Sequence, residues 1–131
     1  MAPNDNHLWT ITITTNTSEM NFLNRYVHLH KEIEQWYTNY DKMVRPKCYI
    51  ASVGERIVGF MLSHLSVYNN HFAFDIDYMY VSKSYRGQGV ASSLLKKSPR
   101  ISIIRNPPKE YDKLFWRNGF VKDFLENFIK F

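Results

Sequence analysis

The sequence predicts an α/β protein of α+β character, with a mixed, mostly antiparallel sheet of about seven strands flanked by helices. Three observations carry that prediction. Leu8 to Thr15 alternates apolar and threonine side chains, with Trp9, Ile11 and Ile13 on one side. Between Lys47 and Val81, three apolar runs are separated only by Gly54-Glu55 and by Tyr68-Asn-Asn-His71, which are short turn signals. The last run then enters a glycine loop and a short helical pattern, Val81-Ser-Lys-Ser-Tyr-Arg-Gly-Gln-Gly-Val-Ala-Ser-Ser-Leu-Leu-Lys-Lys97.

The elements follow in order. The alternating first run is a half-buried strand, and its threonines suit it. Asn16-Thr17-Ser18 supplies helix caps ahead of Glu19. Leu23, Tyr26, Val27, His30, Ile33, Tyr37 and Tyr40 recur at helical spacing, so one long helix or two consecutive ones are expected from Ser18 to about Met43. His30 lies on that apolar stripe as a hydrogen-bonded, half-buried residue. Strands follow over Lys47–Val53, Arg56–Val67 and Phe72–Val81, hairpin-linked and therefore antiparallel. Gly59 inside the second signals a bulge or a close backbone approach. After the loop helix, in which Val90, Leu94 and Leu95 share a face, Ser98-Pro99 ends the helical pattern, and Ile101–Ile104 reads as a short parallel strand. Asn106-Pro107-Pro108 opens a second helix with Tyr111, Leu114 and Phe115 inward and Gly119 as its stop. Phe120–Leu125 and Phe128–Phe131 form a last hairpin. No repeat or linker divides the chain, so residues 1–131 are expected to form one domain.

Strand, glycine loop, helix is an arrangement that holds phosphate. Gly87 and Gly89 take positive φ at little cost, the free N–H groups of the first helical turn point into the loop, and Arg86 adds forked donors. The same pattern suits an ordinary strand-to-helix turn, and the chemistry alone leaves both open. The residues Arg86-Gly-Gln-Gly-Val-Ala91, however, resemble the Arg/Gln-x-x-Gly-x-Gly/Ala signature of the GNAT superfamily of N-acetyltransferases. Asp77 to Val81 resembles the family's fourth strand, and Leu114-Phe-Trp-Arg-Asn-Gly-Phe120 its later helix-to-strand passage. The glycine spacing is neither a Rossmann fingerprint nor a Walker motif.

The resemblance implies the GNAT fold and transfer of an acetyl group from acetyl-CoA (coenzyme A) to a primary amine by direct attack. It implies that Arg86, Gly87, Gln88, Gly89, Val90 and Ala91 wrap the pyrophosphate through backbone N–H groups. The backbone of Met79, Tyr80 and Val81 would pair with the pantetheine arm, and an N–H there would polarise the thioester carbonyl. Asp77 falls where some members carry a glutamate general base. Asp75 and Asp77 share one side of their strand, and either can instead face solvent or pair with a Lys or Arg. The chain departs from the family at Phe115, where a proton-donating tyrosine is common, and at Pro108, where asparagine is common. Tyr111, one turn before Phe115, is the candidate replacement acid, with Tyr80 or a water as alternatives and a core role equally open to Tyr111.

The net charge of +5 fits an anionic ligand, but Arg45, Lys47, Lys96, Lys97, Arg100 and Arg105 are scattered and no nucleic-acid motif is present. The lone Cys48 excludes an internal disulfide, makes no case for a metal site and reads as an inert buried thiol. No apolar run has the length of a membrane helix and the first residues lack a signal-peptide pattern, so a soluble, cytoplasmic chain without membrane partners is expected. A non-catalytic GNAT-shaped protein, acting as an assembly component or homo-oligomer, is the competing expectation, motivated by Phe115, Pro108 and the many aromatic residues.

Overall fold

Turn chemistry sets the frame of the sheet. Asn69 and Asn70 both take positive φ (49° and 65°), which asparagine tolerates better than most residues. They join β3 (Arg56–Tyr68) to β4 (His71–Val81). Gly54, at φ 59°, closes the turn between β2 (Lys47–Val53) and β3. The computed structural model describes residues 8–131; residues 1 to about 7, whose polar sequence predicts a loose start, lie outside them. With β1 (Thr10–Thr14), β5 (Ser102–Ile104), β6 (Val121–Lys122) and β7 (Phe128–Lys130), these strands form one open seven-stranded sheet in the order β1-β2-β3-β4-β5-β7-β6. Only the β4–β5 pair is parallel, as the sequence predicts.

Helices cover both faces. On one, α1 (Thr17–Met20) and α2 (Lys31–Asn39) bury Met20, Ile33 and Trp36 against Cys48, Ile50, Phe60 and Leu62. On the other, α3 (Val90–Lys97) and α4 (Asp112–Arg117) bury Leu94, Leu95 and Phe115 against Trp9, Tyr49, Met61 and Phe128. Neighbouring residues of β2 thus enter different cores, which explains why β2 and β3 read as continuous apolar runs. Burial pushes the Cys48 thiol up to about 12, so it is inert at neutral pH.

Leu94 and Leu95 have no solvent exposure and fasten α3 to the sheet. Leu94→Ala or Leu95→Ala is expected to cost about 2–5 kcal/mol, read as a lower denaturant midpoint. A wild-type midpoint in both variants contradicts this packing.

Three sequence expectations need correction. Ile13 is exposed, and Thr14 is buried in its place, because the Thr14 hydroxyl donates to Glu19 and accepts the Asn16 N–H as β1 turns into α1. Of the two arrangements expected between Ser18 and Met43, the structure has two consecutive segments, a 3-10 turn over Asn21–Arg25 ending the first and α2 starting afresh at Lys31. His30 makes that start. It is extended (φ −155°) and its Nδ1 accepts the Glu32 N–H at 3.2 Å, so it is an exposed cap and not part of a buried stripe. The proline pair gives a 3-10 turn, Lys109–Tyr111, before α4, and Tyr111 faces outward instead of into the core.

Candidate active site

The site begins where two parallel strands part. β4 and β5 pair only at Phe74↔Ser102 and Asp75↔Ile103. Beyond Asp75, β4 is bonded on its β3 side alone, leaving the backbone of Ile76–Val81 open along one edge. A cleft of about 1120 Å³ follows this edge, with Arg86 and Gly89 at one end, Asp77 and Tyr78 at the other, and Tyr111 on the facing wall.

The loop end is built by close packing. A Cβ on Gly59 would stand 2.9 Å from the Tyr80 carbonyl oxygen and 3.1 Å from Val90 Cγ1, so glycine lets the first residue of α3 seat directly on the sheet. The neighbouring Val58 has no partner in β2, so a bulge and a close approach occur together. Gly89 caps α3 at φ 103° with no side chain bonding the helix start, so the first-turn N–H groups of Val90 and Ala91 remain available to a ligand. Gly87 also has positive φ, at 78°. Gln88 donates to the Ser84 carbonyl at 3.0 Å, stapling the loop. Arg86 donates from Nε to the Val81 carbonyl at 2.8 Å and lies over the Tyr80 ring, which holds its guanidinium on the cleft wall. Trp9 reaches from beside β1 to donate to Ser93 Oγ at 2.9 Å, supporting α3 from behind.

The acidic end depends on a second bulge. Leu62 pairs with Tyr78 and Ser63 with Ile76, which leaves Asp77 without a cross-strand partner. The extra residue shifts the alternation. Ile76, Met79 and Val81 pack with the α3-side core, whereas Tyr78 and Tyr80 pack with the α2-side core and Asp77 faces the same side, beside Glu32 and Trp36. Asp75 and Asp77 do share a side, as predicted. Neither is a lone carboxylate. Arg105 donates from Nε to Asp75 Oδ1 at 2.8 Å and from its guanidinium to the Val67 carbonyl at 3.1 Å. His64 Nδ1 lies 2.7 Å from Asp77 Oδ2. Burial pushes the Asp77 carboxyl above the usual aspartate range and the His64 bond opposes this. That bond, aided by the charges of Asp77 and Asp75, raises His64 above its ordinary 6.5. The raised imidazole stabilises the fold below pH 6.5, and that contribution fades as pH rises through its folded-state value.

His64, Asp75 and Asp77 are the metal-type donors that the described residues bring together. Arg105 already balances Asp75, and His64 and Asp77 already bond each other, so these donors are engaged among themselves. Phe115 is buried in the α3-side core and has no proton to give. Tyr111 is exposed toward the cleft, its ring 6.4 Å from that of Phe115. The sequence reading missed His64 and the cleft position of His30, whose ring lies tilted against that of Tyr78, 4.8 Å between centroids. The two-residue Asn69-Asn70 turn carried the signal for His64, since the hairpin register it sets puts His64 opposite Asp75.

The chain belongs to the acetyltransferase (GNAT) domain family, whose sequence model matches residues 45–122. Its fold recurs in solved structures of low sequence identity. An acetyltransferase from Thermus thermophilus is 14% identical with a TM-score of 0.68, over 92% of this chain and 96% of that one. AtaTR bound with AcCoA is 16% identical with a TM-score of 0.59, over 94% of this chain and 92% of that one. A GCN5-related glucosamine N-acetyltransferase region in a fungal multi-domain beta-N-acetylglucosaminidase is 15% identical with a TM-score of 0.64, over 88% of this chain. This chain spans only 17% of that longer protein. At such identities the likeness establishes the fold. No curated protein sequence matches the chain. Among the described residues, no helix is long and apolar enough to cross a membrane.

Proposed function

We propose that the protein, working as one domain over residues 1–131, is an N-acetyltransferase that moves the acetyl group of acetyl-CoA to a primary amine by direct attack. The observation that carries this reading is the continuity of one cleft from an uncapped, glycine-flanked helix start, along an open strand edge, to the half-buried Asp77. Backbone N–H groups around Gly87, Gly89, Val90 and Ala91, with Arg86 and the Gln88-stapled loop, suit a pyrophosphate. The edge at Met79, Tyr80 and Val81, occupied at the Val81 carbonyl by Arg86, suits an extended amide chain added as a further strand.

The Asp77 carboxylate takes a proton from the ammonium form of the acceptor. The neutral nitrogen forms its bond to the thioester carbonyl carbon, and an edge N–H of β4 stabilises the developing oxyanion. The carbon–sulfur bond then breaks, and the departing thiolate takes a proton from Tyr111, which lines the cleft where Phe115 cannot serve. The acylated nitrogen gives its remaining excess proton through water to the Tyr111 phenolate, and Asp77 releases its proton to solvent.

Calorimetry with acetyl-CoA tests the first half. Binding that weakens as salt is added is expected of an anionic ligand held by N–H groups and a guanidinium, and no heat at millimolar ligand refutes it. Thiol release over polyamines, aminoglycosides and peptide N-termini tests the second half. A second reading, a GNAT-shaped binding or assembly component without catalysis, is favoured by the core placement of Phe115 and by the exposed Phe124, Leu125 and Phe131. Cofactor binding without thiol release across that panel favours it.

A further inference from the structure

We propose that His64 is a positioning residue for the transfer reaction, holding the Asp77 carboxylate toward the cleft so that the amine proton is removed by a two-residue unit. The inference rests on Asp77 as the base in the proposed function.

Four side chains from three elements form one chain of contacts. Arg105, just after β5, donates to Asp75 Oδ1 at 2.8 Å. His64 on β3 has Nε2 3.8 Å from Asp75 Oδ2 and Nδ1 2.7 Å from Asp77 Oδ2. Asp75 is His64's direct cross-strand partner, and Asp77 reaches the same ring only because the bulge leaves it unpaired. Asp75 and Asp77 line the cleft, whereas His64 does not. The ring is hydrogen-bonded to Asp77 and lies within ion-pair distance of Asp75, itself anchored by Arg105, so it sets the direction of the Asp77 carboxylate. With Oδ2 accepting from His64, Oδ1 is the oxygen left for the amine. The acid–base step balances simply: one N–H bond of the ammonium breaks and one O–H bond forms on Asp77.

The groups facing His64 and Asp77 are Asp75 on β4, Arg105 after β5 and Glu32 at the start of α2. Burial raises Asp77 and the His64 bond restrains that rise. Removing the imidazole therefore leaves burial unopposed, and the carboxyl holds its proton to higher pH.

The test compares wild type with His64→Asn and His64→Gln, using acetyl-CoA and whichever amine the wild type accepts. The expected result is a kcat lower by about 10- to 100-fold at neutral pH, the scale of a lost positioning contact. Acetyl-CoA affinity should be unchanged, and the acidic limb of the kcat profile should move to higher pH. In an Asp77→Asn background, His64→Asn should add no further loss. Folded His64 variants with wild-type kcat and an unmoved acidic limb overturn the inference and leave Asp77 as a lone base. No thiol release by the wild type itself overturns the transfer reading, and the role of His64 with it. If the His64 variants fail to fold, the imidazole is titrated by NMR in wild type and Asp77→Asn. A lower His64 pKa in the variant supports the unit, and an unchanged titration overturns it.

Discussion

Asp77→Asn leaves acetyl-CoA affinity near its wild-type value and lowers kcat by about 100- to 10,000-fold, the usual cost of losing a general base. The substitution keeps the shape of the side chain, and the amide oxygen can still accept from His64, so the 2.7 Å contact and the bulge survive. Only the capacity to take a proton is lost. Wild-type activity should rise with pH through the carboxyl's raised pKa, because the base works only when deprotonated and burial holds its proton beyond the normal range. The variant should lose this limb. Measured side by side, calorimetry and thiol release separate the holding of acetyl-CoA from its use, and a variant with undiminished kcat removes Asp77 from the mechanism.

Gly89→Glu abolishes detectable acetyl-CoA binding while the protein remains folded. The residue sits at φ 103°, and a Cβ there would have only Trp9 Cζ2, at 3.8 Å, as a neighbour. Space is therefore not the obstacle. A non-glycine residue in left-handed backbone costs about 1–2 kcal/mol, and glutamate adds a negative charge where the helix start presents N–H groups. Gly89→Ala carries the strain without the charge, so it should lower stability similarly and weaken binding much less. Equal loss of binding in both variants would assign the effect to backbone strain instead of charge.

The parts of the fold that the sequence revealed are those governed by local rules. Gly54-Glu55 and Asn69-Asn70 lie between apolar runs, so the three central strands were legible nearly to the residue. Gly59 announced a close approach because a glycine inside a strand has few other uses. The position of the break before α2 was not legible, since it is made by a histidine cap and the interval carries neither proline nor glycine. The bulge at Asp77 was not legible either, because it comes from pairing with β3 and not from any property of Asp77's neighbours. The candidate site divides in the same way. The loop from Arg86 to Ala91 could be read as a motif, and Asp77 by its position on the strand. His64 and Arg105 belong to the site through cross-strand and cross-element contact, which only the register reveals.

The unpaired residue in β4 also gives the strand a parity. Before it, odd-numbered positions look toward α2, and after it even-numbered positions do. Asp77 is thus a supernumerary residue in the ladder. A chain lacking it would bring Ile76 and Tyr78 into direct succession opposite Ser63 and Leu62, and every other side chain would keep its partner and its face. Lacking Ile76 instead, the same ladder could close only by turning the Asp77 carboxylate into the α3-side core, where Ile76 now packs. Architecture and chemistry therefore place different demands on adjacent positions. The sheet needs Ile76 and could dispense with Asp77, whereas the proposed reaction needs Asp77 and makes no direct use of the Ile76 side chain.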